Sequence, residues 1–316
     1  MNNFNFSVFW QYLYIKAIIL FLFAFGIGNF AHAQVGDSAA IAQTKRNRII
    51  GVSTIGAAAY AGTLVGLQYV RYNNYPTTNF YFANNNSHWK QVGKLGHFAL
   101  GSKITINGYN LLRWVGVKHK NSLIYAAGTS MLYLSTLEVI DGYHSGLGFS
   151  WGDMAANAGG TAFTAIQLAV WKQQKFNYKF SYHQTQFSQY NPNTLGRGFW
   201  EYWMKDFNGQ THWISFSPWA FSKSERAPKW LCVAIGYGAE GMTGATENIT
   251  EFNGKPAPQF DRYRQYYLSL DIDLSKIKTR YKFLKLVFGV LSNVKVPFPA
   301  LEFNRINKVK GYGIYF

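Results

Sequence analysis

Three carboxylates, Glu138, Asp141 and Asp153, stand within sixteen positions of an apolar, small-residue stretch, in a chain of 316 residues with only 14 Asp and Glu. That placement constrains the fold more than any other feature. An acid in apolar surroundings is costly unless it is paired, hydrogen-bonded or functional. The segments that carry these acids must therefore fold around groups that satisfy them. Upstream, Lys94-Leu95-Gly96-His97-Phe98 is a second polar cluster set in apolar sequence. The residues locate a site here and name no substrate.

The rest of the chain fits an envelope protein. Only 14% of it is charged and 18% is aromatic, against about 25% charged in ordinary globular domains. Lys16 is the only charge before the apolar run Ala17–Ile27, and Ala31-His32-Ala33 supplies a small-x-small cleavage pattern. This reads as a secretory signal peptide cut before Gln34. The run is too short for a bilayer core of about 30 Å, which argues against an uncleaved anchor. Removal of residues 1–33 lowers the formal net charge from +17 to +16, because it takes only Lys16. For an exported chain, nucleic acid is excluded as the counter-charge, and anionic lipid, lipopolysaccharide or acidic glycan is the expected one. The single cysteine, Cys232, forms no internal disulfide and reads as a core thiol.

Residues 34–48 read as a polar, flexible leader. Residues 49–70 carry no charge and are rich in Gly, Ala, Ser and Thr. This run is long enough for a membrane helix, but Gln68 favours a buried hairpin helix. An Asn/Pro/Thr-rich loop over 73–90 is followed by helices over about 91–115, 122–142 and 151–171. A compact small-residue bundle is expected over 49–172.

After Lys175 the hydrophobic period changes to two. Phe176, Tyr178, Phe180 and Tyr182 alternate with polar residues, and weaker strand patterns follow at 211–217, 230–238, 264–273 and 312–316. The expected class is α+β, a helical bundle followed by a β-rich region over 173–316. Five strands are too few for a transmembrane barrel. The terminal Phe316 resembles the carboxy-terminal signal of outer-membrane barrel proteins, with a plain edge strand as the alternative. Leu274, Ile277, Tyr281, Leu284, Phe288 and Leu291 recur at helical spacing among Lys276, Lys278, Arg280, Lys282 and Lys285. That pattern predicts a basic amphipathic helix, able to lie on an anionic membrane or to cap the sheet in solvent.

Glu138 and Asp141, at i and i+3, share one helix face. The pair can ligate a divalent metal or divide into acid and base, with His97 as ligand or general base and Asp153 and Asn157 facing them. No single spacing is diagnostic of a metal. Each residue also has a structural reading. Ser150-x-x-Asp153 is a capping box, Asp141 can bond the amides of the glycine-rich turn, and His97 can be a hydrogen-bonded core histidine. Glu138 requires a buried partner, for which Lys94 and Arg113 are the candidates.

Lys94-x-x-His97-Phe98, Glu138-x-x-Asp141 and Gly148-Phe149-Ser150-Trp151-x-Asp153 resemble the motifs of the YfiM-like predicted periplasmic lipoproteins, a family with a domain of unknown function. The resemblance covers about residues 90–172. Gly93 stands where an acid usually precedes the lysine, and no lipobox cysteine is present. Residues 175–316 resemble extended members from Gram-negative bacteria such as the Bacteroidetes. The resemblance implies an envelope location and a helical core, and no activity. The sequence therefore points first to an exported protein with a structural or interactive role, partnered by outer-membrane lipid or envelope proteins. A metal-dependent hydrolase of envelope lipid or glycan, and a lipid- or lipopolysaccharide-binding module, are the alternatives.

Overall fold

The protein is described by a computed structural model that covers residues 38–316 except Asn73, Asn74 and Glu225. The cleavage pattern at Ala31-His32-Ala33 lies outside the described residues. Helices come first and strands after, the α+β order expected from the sequence. The chain divides into two compact units, residues up to 83 with 100–170, and residues 84–99 with 171–316.

The first unit is helical. It holds α1 (Ser38–Val70), α2 (Val92–Trp114) from Leu100 onward, α3 (His119–Gly142) and α4 (Trp151–Trp171). The leader expected over 34–48 is helical from Ser38, where Ala39, Ala40 and Ala42 supply strong helix propensity. The buried hairpin helix expected over 49–70 is not what forms. No residue in the most apolar stretch of α1 is buried, and Ile50, Ile55 and Val65 lie exposed. By length and composition, 43–68 of α1 and the whole of α3 are long and apolar enough to cross a membrane. One side of α1 meets α3, where Tyr60 Oη lies 2.7 Å from Thr136 Oγ1 and the Tyr60 and Tyr133 rings meet edge to face.

The interior of this unit is small and polar. α3 buries Ser122, Ala126, Ser130, Leu134 and Glu138 along a four-residue repeat, whereas Ile124, Leu132 and Val139 are exposed. Hydroxyls cross between helices: Ser102 to Thr164 at 2.8 Å and Ser130 to Thr161 at 3.1 Å. Gly101 is what permits this approach. A Cβ there would stand 2.3 Å from the Asn157 carbonyl oxygen, so α2 and α4 touch backbone to backbone.

The second unit is built on six antiparallel strands: β1 (Phe176–Tyr182), β2 (Gln210–Phe216), β3 (Leu231–Glu240), β6 (Tyr263–Ile272), β7 (Phe298–Asn304) and β8 (Lys308–Tyr315), in the order β1-β2-β3-β6-β7-β8. β4 (Glu251–Phe252) and β5 (Lys255–Pro256) pair as a minimal hairpin. Helices α5 (Pro192–Leu195), α6 (Phe199–Lys205) and α7 (Lys282–Leu291) lie in the connections. On β6, Gln265, Tyr267, Ser269 and Asp271 are buried while Arg264, Tyr266, Leu268 and Leu270 are exposed. The buried face packs Trp213, Ala234, Tyr267, Ala300 and Tyr315 around a fully buried ion pair, Lys179 Nζ to Asp271 Oδ2 at 2.6 Å.

One strand was not expected and one expected helix does not form. β7 carries no alternation legible in the sequence: Pro297 precedes it and Pro299 sits within it on the exposed face. The long amphipathic helix is absent. Asp273 accepts bonds from the Ser275 amide and hydroxyl, which closes a short 3₁₀ turn over Leu274–Lys276. Helix resumes only at Lys282. Lys276, Lys278 and Arg280 are therefore off the helix, and Lys282 and Lys285 are on it.

Candidate functional site

The carboxylates meet in the helical unit at the turn between α3 and α4. Glu138 and Asp141 end α3, and Ser150 and Asp153 begin α4. All four side chains are buried, Glu138 at 1% exposure. The turn is clamped by the loop that follows α1. Tyr81 and Ala83 donate to the Gly142 and Phe149 carbonyls, and Ser145 donates to that of Pro76. Gly148 is required twice over: its φ is +74°, and a Cβ would meet the Ala83 methyl at 2.5 Å.

Asp141 pairs with Arg71, one residue beyond α1, Nη2 to Oδ2 at 2.8 Å. Gly148 N–H donates to the Asp141 main-chain carbonyl at 2.9 Å. Behind this pair Tyr72 is buried and stacks on His144, ring centroids 4.5 Å apart, and the His144 Nδ1 lies 2.8 Å from the Ile140 carbonyl oxygen. Burial, reinforced by the Asp141 charge, pushes the Tyr72 hydroxyl far above its ordinary range.

Glu138 Oε2 accepts the Ser150 amide at 3.4 Å, and Ser150 Oγ accepts the Asp153 amide at 3.1 Å. Ser150 thus caps α4 through its hydroxyl, and its own amide bonds a carboxylate twelve residues upstream. Glu138 and Asp153 bring carboxylate oxygens within 4.8 Å of each other. Burial, together with the charges of Asp153 and Asp141, raises the Glu138 carboxyl to about 8. Two like charges this close disfavour each other, so at least one of the carboxyls takes up a proton more readily than a free acid. Asn157, one turn along α4, is fully buried.

Arg113 is not the partner of Glu138. Its guanidinium donates to the Val117 carbonyl at the far end of α2. Lys94 and His97 lie in the first turns of α2, which belong to the second unit. There Lys94 Nζ donates to Asn85 Oδ1, the Leu95 carbonyl accepts from Tyr178, and Phe98 packs on the Tyr178 ring. His97 itself is half-buried. Arg71, Tyr72 and His144 belong to no motif in the sequence; Arg71 is marked there only as the first charge after the uncharged run 49–70.

Residues 80–169 match the family described as Predicted periplasmic lipoprotein (DUF2279). That span holds α2, α3, all but the last two residues of α4, and every carboxylate of the cluster. No curated protein and no solved structure matches the chain.

Proposed function

We propose that this is an exported component of the cell envelope, resident at the outer membrane or in the periplasm, in which the buried carboxylates hold the helical unit together. The observation that carries the structural role is the Arg71–Asp141 pair. It ties the end of α1 to the α3–α4 turn, with the carboxylate side chain only 8% exposed. The description of the matched family and the leader pattern at Ala31-His32-Ala33 support the envelope location. The extended YfiM-like type suggested by residues 175–316 belongs to the same proposal. Fractionation of cells followed by N-terminal sequencing tests it. A chain beginning near Gln34 in the envelope fraction is the expected result, and a chain beginning at Met1 in the cytosol refutes it.

A second reading, a metal-dependent hydrolase of envelope lipid or glycan, draws on the proximity of Glu138 and Asp153. In that reading the two acids, with Asp141 beside them, hold a divalent cation that would activate water, and His97 is third ligand or general base. Added divalent cation that raises the melting temperature of the wild type, but not of an Asp153→Asn variant, would favour this reading.

A further inference from the structure

The sheet unit carries apolar residues on its exposed face as well as in its core. The register aligns Tyr237, Tyr266 and Phe303 in one cross-strand row, Ile214, Ile235, Leu268 and Leu301 in the next, and Phe216, Val233 and Leu270 in a third. All point to one face. Ile235, Leu268, Leu270 and Leu301 are between 44% and 58% exposed. The opposite, buried face holds Lys179, Asp271, Gln265 and Glu302. A soluble sheet buries its apolar face against a core; a sheet in contact with lipid turns it outward. From Tyr266 to Leu270 the strand advances about 13 Å at roughly 3.3 Å per residue, close to half of a hydrocarbon core of about 30 Å.

At the aromatic end of these rows lies a groove of ≈ 390 Å³, lined by Lys90, Arg262, Arg264, Arg305 and Lys308 beside Tyr266 and Phe303. Arg264 spends its donors on neutral groups, Gln91 Oε1 at 2.7 Å and Tyr237 Oη at 3.1 Å. Arg262 Nη2 donates to the Ala245 carbonyl, and its Nη1 is buried with no hydrogen-bond partner. Asp261 stands 3.6 Å from Arg305, and both are exposed. Burial and the neighbouring guanidinium groups of Arg264, Arg262 and Arg305 hold Lys90 below its ordinary range. Clustered guanidinium groups are suited to a phosphate, which accepts paired N–H bonds from them.

We propose that the outward face of the sheet lies against the acyl chains of one bilayer leaflet and that the cationic groove takes the phosphate of an anionic lipid in that leaflet. The inference rests on the envelope location proposed above and is independent of what the carboxylates do. It moves lipid recognition away from the basic segment 276–285 and onto cations scattered between residues 90 and 308.

Full-length protein sedimented with vesicles of phosphatidylcholine alone, and with one-third phosphatidylglycerol, tests the idea. Binding should favour the anionic vesicles and weaken with salt. Arg264→Gln and Arg305→Gln should each reduce it about fivefold. Leu268→Asn with Leu301→Asn should reduce binding to both vesicle types, and Lys282→Gln with Lys285→Gln should leave it unchanged. Inorganic phosphate at millimolar concentration should compete poorly; full competition would show that the groove takes a free anion rather than a lipid. If an arginine variant melts early, Lys308→Gln replaces it, since Lys308 is the exposed first residue of the edge strand β8. Equal binding to both vesicle types, unchanged binding by the groove variants, or self-association through Leu268 and Leu301 in place of vesicle binding overturns the proposal. Cytosolic fractionation would refute the envelope location without altering these vesicle results.

Discussion

Asp141 and Glu138 sit three residues apart on α3 and meet opposite electrostatic fates. Asp141 faces a guanidinium, and replacing it by Asn leaves Arg71 without its charge partner. Loss of one member of a buried pair costs about 3–5 kcal/mol. Arg71 is 42% exposed, so water screens it and about 1–2 kcal/mol is the expected cost here. In a domain of this size that is a fall of several degrees in the thermal midpoint of Asp141→Asn. Glu138 is pushed the other way. Its folded value of about 8 lies above the ordinary 4.5, so folding favours the protonated acid. Its contribution is fully present below the ordinary value and is lost as pH rises through about 8. Glutamine imitates the protonated form. Melting across pH 5 to 9 should therefore show a decline in the wild type that Glu138→Gln flattens. A variant that tracks the wild type at every pH would show that Glu138 is not the group responsible.

At the scale of elements, the sheet contains a pair that tests the same physics without water. Lys179 and Asp271 are both fully buried, and Asp271 also accepts from Ser215 Oγ and the Val296 amide. Lys179→Met alone should cost about 3–5 kcal/mol, because it takes the ion-pair partner from a buried carboxylate and leaves it only the Lys295 charge nearby. The double variant Lys179→Met with Asp271→Leu should recover most of that in denaturant melts; a double variant as unstable as the single would show that the hydrogen bonds, not the charges, dominate. Elements were legible in the sequence where one local rule decided them. β1 showed as Phe176, Tyr178, Phe180 and Tyr182, and α4 was bounded by Ser150 and Trp171. β7 was not legible, since two prolines masked it, and neither was the break before α7, which a single side-chain turn at Asp273 imposes. The acids of the candidate site were visible by their incongruity. Arg71, seventy positions from Asp141, was invisible because the pairing is a property of the folded chain.

At the scale of the whole molecule, both units hide polar groups and expose apolar ones. In the helical unit the hidden groups are Ser102, Ser130, Asn157, Thr161 and Thr164; in the sheet they are Lys179, Asp271 and Glu302. Such an exterior suits an envelope protein better than a freely soluble one, and detergent should be needed to keep the purified chain from aggregating. Monodisperse behaviour in plain buffer at high concentration would contradict that expectation. If, as proposed, the carboxylates at the α3–α4 turn support the fold, they need no metal to do so. Thermal melting of the purified protein at neutral pH, with and without EDTA, tests it most directly. The same midpoint is expected in both conditions. A midpoint that EDTA lowers and an added divalent cation restores would contradict it and would shift the assignment to the metal-dependent enzyme.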